Sequence, residues 1–143
     1  MNNSALAVKE LQNLVLANYE RMVAFEQAAF HAGSNQLKSY FEEKATESEQ
    51  NIAELNAVLY SLNQSYFDAA TEASKNLLGT THLFTGQKNI QLLLKHLQYL
   101  EKTVIGWYKK GMKNLKGLSH NITLLLGKHY TELQASHVYV QNC

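Results

Sequence analysis

Apolar and small residues recur three and four positions apart along most of the chain, which is the pattern of helices with one buried face. Four such stretches predict long helices near residues 5–31, 35–62, 88–115 and 118–140. Gly33 and Ser34 separate the first two stretches, and Gly117 separates the last two. Because glycine suits the ends of helices and serine suits their starts, the sequence predicts two helical hairpins with short turns.

Between the hairpins the pattern weakens over residues 63–87, where Gly79 and Gly86 interrupt it. We interpret this segment as a long, partly helical crossover. Two antiparallel hairpins joined by one long connection are typical of ferritin-like four-helix bundles. The expected fold class is therefore all-α and ferritin-like, with residues 1–143 forming a single domain. Such a crossover returns the chain to the other end of the bundle, so the second and third helices should run parallel.

Polar residues interrupt the apolar stripes at a common height. Folding each hairpin about its turn places Asn18 level with Ser48, and Glu101 level with Glu132, with His129 one helical turn away. A buried carboxylate is costly unless it is paired, hydrogen-bonded, protonated or bound to metal. A hydrogen-bonded network of these five residues is the favoured interpretation, with Glu101 and Glu132 approaching each other. The alternatives are a metal site made by Glu101, Glu132 and His129, and an error in the stripes that leaves the glutamates exposed.

Iron or manganese would be the metal of the second interpretation. Ferritin-like di-iron and di-manganese proteins supply glutamates from two helices and Glu-x-x-His motifs from the other two. This chain has no such motif on its second or fourth predicted helix, and offers only the reversed order His129-Tyr-Thr-Glu132. Glu47 and Glu49 are predicted to point away from the core. At most a depleted, one-sided site remains, so we expect no cofactor and no stoichiometric di-metal centre.

Charge is unevenly distributed along the chain, although the formal net charge is only +1. Residues 1–75 carry ten acidic and five basic residues, whereas residues 76–143 carry two acidic residues and eight lysines. Five of these lysines recur every seven residues, which places them on one face of the third predicted helix: Lys88, Lys95, Lys102, Lys109 and Lys116. This face is either a solvated stripe or a surface that docks the acidic first hairpin of a second subunit. We predict a homo-oligomer, with a dimer favoured.

Several classes of function are not indicated. Arg21 is the only arginine, and no aromatic cluster accompanies the lysines, so nucleic-acid binding is not expected. No uncharged apolar run approaches the roughly 18 residues that span a bilayer, so no membrane association is expected. Cys143 is the only cysteine, which excludes an intramolecular disulfide and fits a cytoplasmic location. Neither a phosphate loop nor a nucleophilic triad is present, so an enzyme is not favoured.

The stretch 11–29 resembles the opening helix of a bacterial ferritin-like family of unknown function. Tyr40-Phe-Glu-Glu is similar to that family's second helix, Glu101 with Tyr108 to its third, and Tyr130-Thr-Glu132 to its last. The resemblance implies a fold rather than an activity, because the family has no agreed reaction or cofactor. It marks as positions of interest Asn18, Glu26, Glu54, Glu101, Glu132 and His137. The lysine-rich second half departs from the family's usual acidic one.

Together these features predict a non-enzymatic helical bundle that acts through protein association, in a stress-related setting. The alternative function is a metal-binding oxidative or storage protein of the di-iron or di-manganese type, with a depleted site. Elemental analysis separates the two, since only the second requires a resident metal.

Overall fold

The computed structural model describes residues 3–73 and 89–143, which form an all-α bundle. In the described residues the helices are α1 (Asn3–Phe30), α2 (Asn35–Ser61), the short α3 (Ala69–Ala73), α4 (Ile90–Asn114) and α5 (His120–Gln141). The four long helices confirm the four that the apolar pattern predicts. The short α3 lies in the predicted crossover, and residues 74–87 of that segment, with the predicted helix start at Lys88, lie outside the described residues.

The starts of three long helices are set by side chains that cap them. Ser34, Asn89 and Ser119 have extended backbone conformations, and the side-chain oxygen of each accepts a hydrogen bond from a backbone N–H of the following turn. Such caps satisfy amide groups that have no partner inside the helix. The Ser34 cap agrees with the predicted turn between the first two helices. The Ser119 cap makes α5 begin at His120, two residues later than the apolar pattern indicates.

The directions of the helices follow from the contacts between them. On α1, Asn18 bonds to Tyr108 of α4 and Arg21 bonds to Glu101, so residue numbers rise on one helix and fall on the other. Helix α4 is therefore antiparallel to α1, as α2 is after the short turn at Ser34. It follows that α2 and α4 run parallel, as the long crossover predicts. Helix α5 packs against both α4 and α2.

The buried faces follow the predicted stripes, with small shifts in α1 and α5. On α1, Arg21 is fully buried whereas Met22, four residues after the inward Asn18, is only half-buried. On α5, Leu133 is fully buried and Glu132 is half-buried. An ideal helix turns once per 3.6 residues, so a stripe extended over many turns drifts by a residue. The shift puts a cation in the core and moves a carboxylate to its edge.

Candidate functional site

A guanidinium group lies at the centre of the bundle. Arg21 has no exposed surface, and its Nη1 donates to Ser48 Oγ at 2.8 Å and lies 3.0 Å from Glu47 Oε1, both on α2. Its Nε and Nη2 each lie 3.3 Å from Glu101 Oε2 on α4. The guanidinium carbon stands 4.9 Å from the centre of the Phe25 ring, which adds a cation–π contact. One side chain therefore ties three helices together.

The Glu101 carboxylate is fully buried and is held from two sides. Besides Arg21, Ser136 of α5 donates to Glu101 Oε2 at 2.6 Å. Burial raises the pKa of Glu101, although the positive charge of Arg21 and the Ser136 hydrogen bond oppose the increase. Among the described residues Glu101 Oε1 has no hydrogen-bond partner, and His137 Nδ1 lies 3.9 Å from it. All four long helices thus meet at this ion pair.

A second polar network lies beside the first. It begins on α2, passes through α1, α4 and α5, and returns to α2. Asn51 Nδ2 donates to Asn18 Oδ1 at 3.2 Å, and Asn18 Nδ2 donates to Tyr108 Oη at 2.7 Å. Tyr108 Oη lies 2.7 Å from His129 Nδ1, and His129 Nε2 lies 2.7 Å from Glu54 Oε1. Tyr108 and His129 have no exposed surface, whereas Glu54 reaches the solvent at one end of the chain of bonds.

A neutral His129 satisfies every hydrogen bond of this network. If His129 Nε2–H donates to Glu54, His129 Nδ1 accepts from the Tyr108 hydroxyl, whose oxygen accepts from Asn18, so every group has a partner. A second proton on His129 would make Nδ1 a donor and leave the Tyr108 hydroxyl hydrogen without an acceptor among the residues that the structure describes. Burial likewise lowers the pKa of His129, although the Glu54 hydrogen bond and charge oppose the decrease.

The lowered pKa of His129 makes the stability of the fold depend on pH. The folded pKa of His129 lies below its ordinary value of 6.5, so between these values the unfolded chain binds more protons than the folded one. His129 therefore contributes a fall in the free energy of unfolding as the pH drops from 7 to about 5, whereas the raised pKa values of Glu101 and Glu132 act in the opposite direction. The wild type should accordingly lose stability relative to His129→Gln over this range. Urea unfolding at several pH values measures it. The exposed His120 gives the control, since His120→Gln should leave the slope unchanged, and equal slopes in wild type and His129→Gln would contradict the expectation.

The predicted polar layer is divided between the two networks. Ser48 and Glu101 bond to Arg21, whereas Asn18 and His129 belong to the Tyr108 chain. Glu101 is bound by Arg21 and Ser136 rather than by Glu132. Glu132 is half-buried, and burial, helped by the negative charge of Glu47, raises the pKa of its carboxyl. Its Oε1 has no hydrogen-bond partner in the part of the chain that the structure describes.

The positions marked by the family resemblance have different surroundings. Glu54 ends the Tyr108 chain and is also approached by Lys128 Nζ at 3.4 Å. Burial alone would raise the pKa of Glu54, but the hydrogen bond and charge of His129 and the charge of Lys128 lower it. His137 is half-buried beside Glu101, and Glu26 is exposed on α1. Glu26, Glu54 and His137 therefore do not form one site.

Two side chains of the Arg21 network were not foreseen. Glu47, predicted to point away from the core, is half-buried and pairs with both Arg21 and Lys44, because the long Arg21 side chain reaches the edge of the α2 stripe. Arg21 itself entered the sequence analysis only as the single arginine in the argument against nucleic-acid binding. A signal for it exists in the sequence, since Leu14, Asn18, Arg21 and Phe25 keep the spacing of one helical face.

The donor set does not fit the di-metal centre that a ferritin-like fold implies. Within residues 3–73 and 89–143, no group of three or more His, Cys, Asp or Glu side chains could hold a metal ion. Glu101, Glu132 and His129 accordingly make no such group. A divalent cation at Glu101 would also lie within a few ångströms of the Arg21 guanidinium, and like charges at that distance repel. We therefore derive no chemistry through a metal.

Comparisons with known proteins agree with this architecture. The family model described as "Domain of unknown function (DUF2383)" matches residues 6–114. The structure is similar to that of a mutant of Mycobacterium smegmatis Dps1, with a TM-score of 0.76, 14% sequence identity, and coverage of 98% of this chain and 95% of that chain. No curated protein matches the sequence. The similarity confirms the predicted ferritin-like four-helix bundle, and at this identity it concerns the fold alone.

The described helices were also compared with the requirements for a membrane-spanning helix. From residue 3 to 73 and from 89 to 143, none combines the length and the apolar character that crossing a bilayer requires.

Proposed function

The chain belongs to the family called domain of unknown function (DUF2383), and from this premise we propose that it is a non-enzymatic, single-domain bundle that acts by associating with protein chains. The observation that carries the proposal is the closed polar centre. Arg21, Glu101, Tyr108 and His129 each have 0% exposure, so these groups are shielded from any substrate in solution. An enzyme needs its acid, base or nucleophile within reach of the reacting atoms. The buried polar groups hold the four long helices together, which is a structural role rather than a catalytic one.

The proposed association is supported by the aromatic residues on the surface. Phe30 is 82% exposed, Tyr60 79%, Tyr66 70% and Tyr99 61%. Tyrosine and phenylalanine are enriched in the cores of protein interfaces, where they bury large areas at a low cost in side-chain entropy. We propose a homo-oligomer, with a dimer as its smallest form, in the cytoplasm, where the single Cys143 would stay reduced.

Two measurements on the untagged protein test this function. Elemental analysis after growth with added iron and manganese should find metal far below one ion per chain, because Arg21 already neutralises Glu101. Sedimentation velocity at low micromolar concentration should give a mass above that of the 16.2 kDa chain. Stoichiometric iron or manganese that survives dialysis against a chelator would point to the metal-binding alternative, and a monomer at every concentration would remove the role in self-association.

A further inference from the structure

An open groove of about 590 Å³ lies on the outer side of the hairpin formed by α1 and α2. Its lining includes apolar side chains, among them Met22 and Phe30, together with three glutamates and one lysine. The glutamates are Glu26 on α1, and Glu42 and Glu49 on α2. The groove therefore combines apolar contact area with an excess of negative charge, which suits a basic amphipathic segment.

The acidic residues of the groove have regular spacing and are available for pairing. Glu42 and Glu49 are seven residues apart, which is close to two helical turns or about 10.5 Å along α2. Glu26, Glu42 and Glu49 are all exposed, and no ion pair within the described ranges engages them. Charged groups that find no partner in their own chain can pair with a second molecule without breaking an existing contact.

The exposed face of α4 carries positive charges at the same seven-residue spacing as Glu42 and Glu49 of the groove. Four members of the predicted lysine stripe lie in the described residues, and each is exposed: Lys95, Lys102 and Lys109 on α4, and Lys116 just after its end. The three lysines of α4 lie about 100° around the helix from Glu101 and Tyr108, which belong to its buried side. Tyr99 is 61% exposed between Lys95 and Lys102 on the same face. The α4 face is thus a row of cations with an aromatic ring between two of them.

From this match we propose that the lysine face of α4 in one copy of the chain docks into the α1–α2 groove of a second copy. Lys95 and Lys102 would pair with Glu42 and Glu49, since each pair spans about 10.5 Å, and Tyr99 would lie against the apolar lining of the groove. This inference rests on the proposed association function and names its partner and contact surface. A chain does not fill its own groove, because its α4 packs on α1 through its buried side while the lysines stay exposed.

Exchange of charges between the two surfaces tests the docking. The variant E42K/E49K places lysines in the groove, and K95E/K102E places glutamates on α4. Each variant alone would bring like charges together, so self-association should weaken on the order of 100-fold. An equimolar mixture should recover association, since either groove then meets an α4 face of opposite charge. Sedimentation velocity of each variant and of the mixture, at low and high salt, measures this, and the wild-type complex should weaken as salt screens the pairs.

The control is E43K/Q50K, which adds lysines at the neighbouring exposed positions of α2, outside the groove lining. It should associate like the wild type. If both groove and stripe variants still associate normally, or if the mixture does not recover, the docking is wrong while the association function stands. A monomeric wild type would instead remove the association function itself. Binding of a short DNA duplex that K95E/K102E abolishes, with E42K/E49K leaving self-association unchanged, would make the lysine face a nucleic-acid surface and overturn the docking.

Discussion

Arg21→Met should lower the free energy of unfolding by about 3–5 kcal/mol, because it leaves the buried Glu101 without its cation. Methionine is also long and unbranched, so it fills much of the space of the arginine and little of the loss comes from a cavity. Glu47 would lose one of its two cations and keep Lys44. Urea unfolding at pH 7, followed by circular dichroism, measures the change.

Two further variants separate the charge from the packing. Arg21→Met with Glu101→Met removes both charges, and it should be clearly less destabilised than the sum of the two single variants, since neither buried charge is left alone. Lys128→Met removes a lysine whose side chain is 52% exposed and should cost less than about 1 kcal/mol. A loss below about 1 kcal/mol for Arg21→Met would mean that the central ion pair contributes little.

The fold could be predicted from the sequence because its determinants are local. The apolar spacing that defines each long helix, and the Gly33-Ser34 turn, involve residues that are close in the chain. The crossover between the hairpins then restricts the topology to few alternatives. The helix ends that moved, such as the start of α5, depend on a single cap, Ser119, and helix ends are the least certain part of such a pattern.

The candidate site could be predicted only in part because its contacts join distant residues. The comparison of heights along the bundle placed Asn18, Ser48, Glu101 and His129 at one level inside it, and all four side chains are buried. It could not assign their partners, since levels along an axis do not specify which helices are neighbours. Glu101 and Glu132 share a level, yet a rotation of about 100° per residue puts Leu133 inward and Glu132 at the edge.

Arg21 shows why hydrophobicity alone misleads at such a site. An arginine is rarely buried without partners, so a reader of the sequence assigns it to the surface. Here two carboxylates supply those partners, Glu47 and Glu101. The four bundle helices thus surround a cation that belongs to the chain itself. A ferritin-like fold therefore keeps a charged centre in this protein, and the residues that the structure describes do not supply the ligand set of a di-metal site.

Tyr108→Phe should lower the free energy of unfolding by about 1–3 kcal/mol at pH 7, because it removes one hydroxyl that serves two buried groups. His129 Nδ1 loses its donor, and Asn18 Nδ2 keeps only its bond to the Leu14 carbonyl. The ring remains, so packing is conserved. Tyr60→Phe is the matched control, since Tyr60 is 79% exposed and its loss should fall within about 0.5 kcal/mol of zero.

The cost of Tyr108→Phe should also shrink as the solution is acidified. The Tyr108 hydroxyl stabilises neutral His129 by donating to Nδ1, so its removal should raise the folded pKa of His129 toward the value of the unfolded chain. The variant would then bind protons more equally in its two states and lose less stability between pH 7 and about 5 than the wild type. Urea unfolding of both proteins across this range measures the difference. A cost that stays constant with pH would show that Tyr108 does not control the protonation of His129, and a cost that grows on acidification would reverse the assigned direction of the bond.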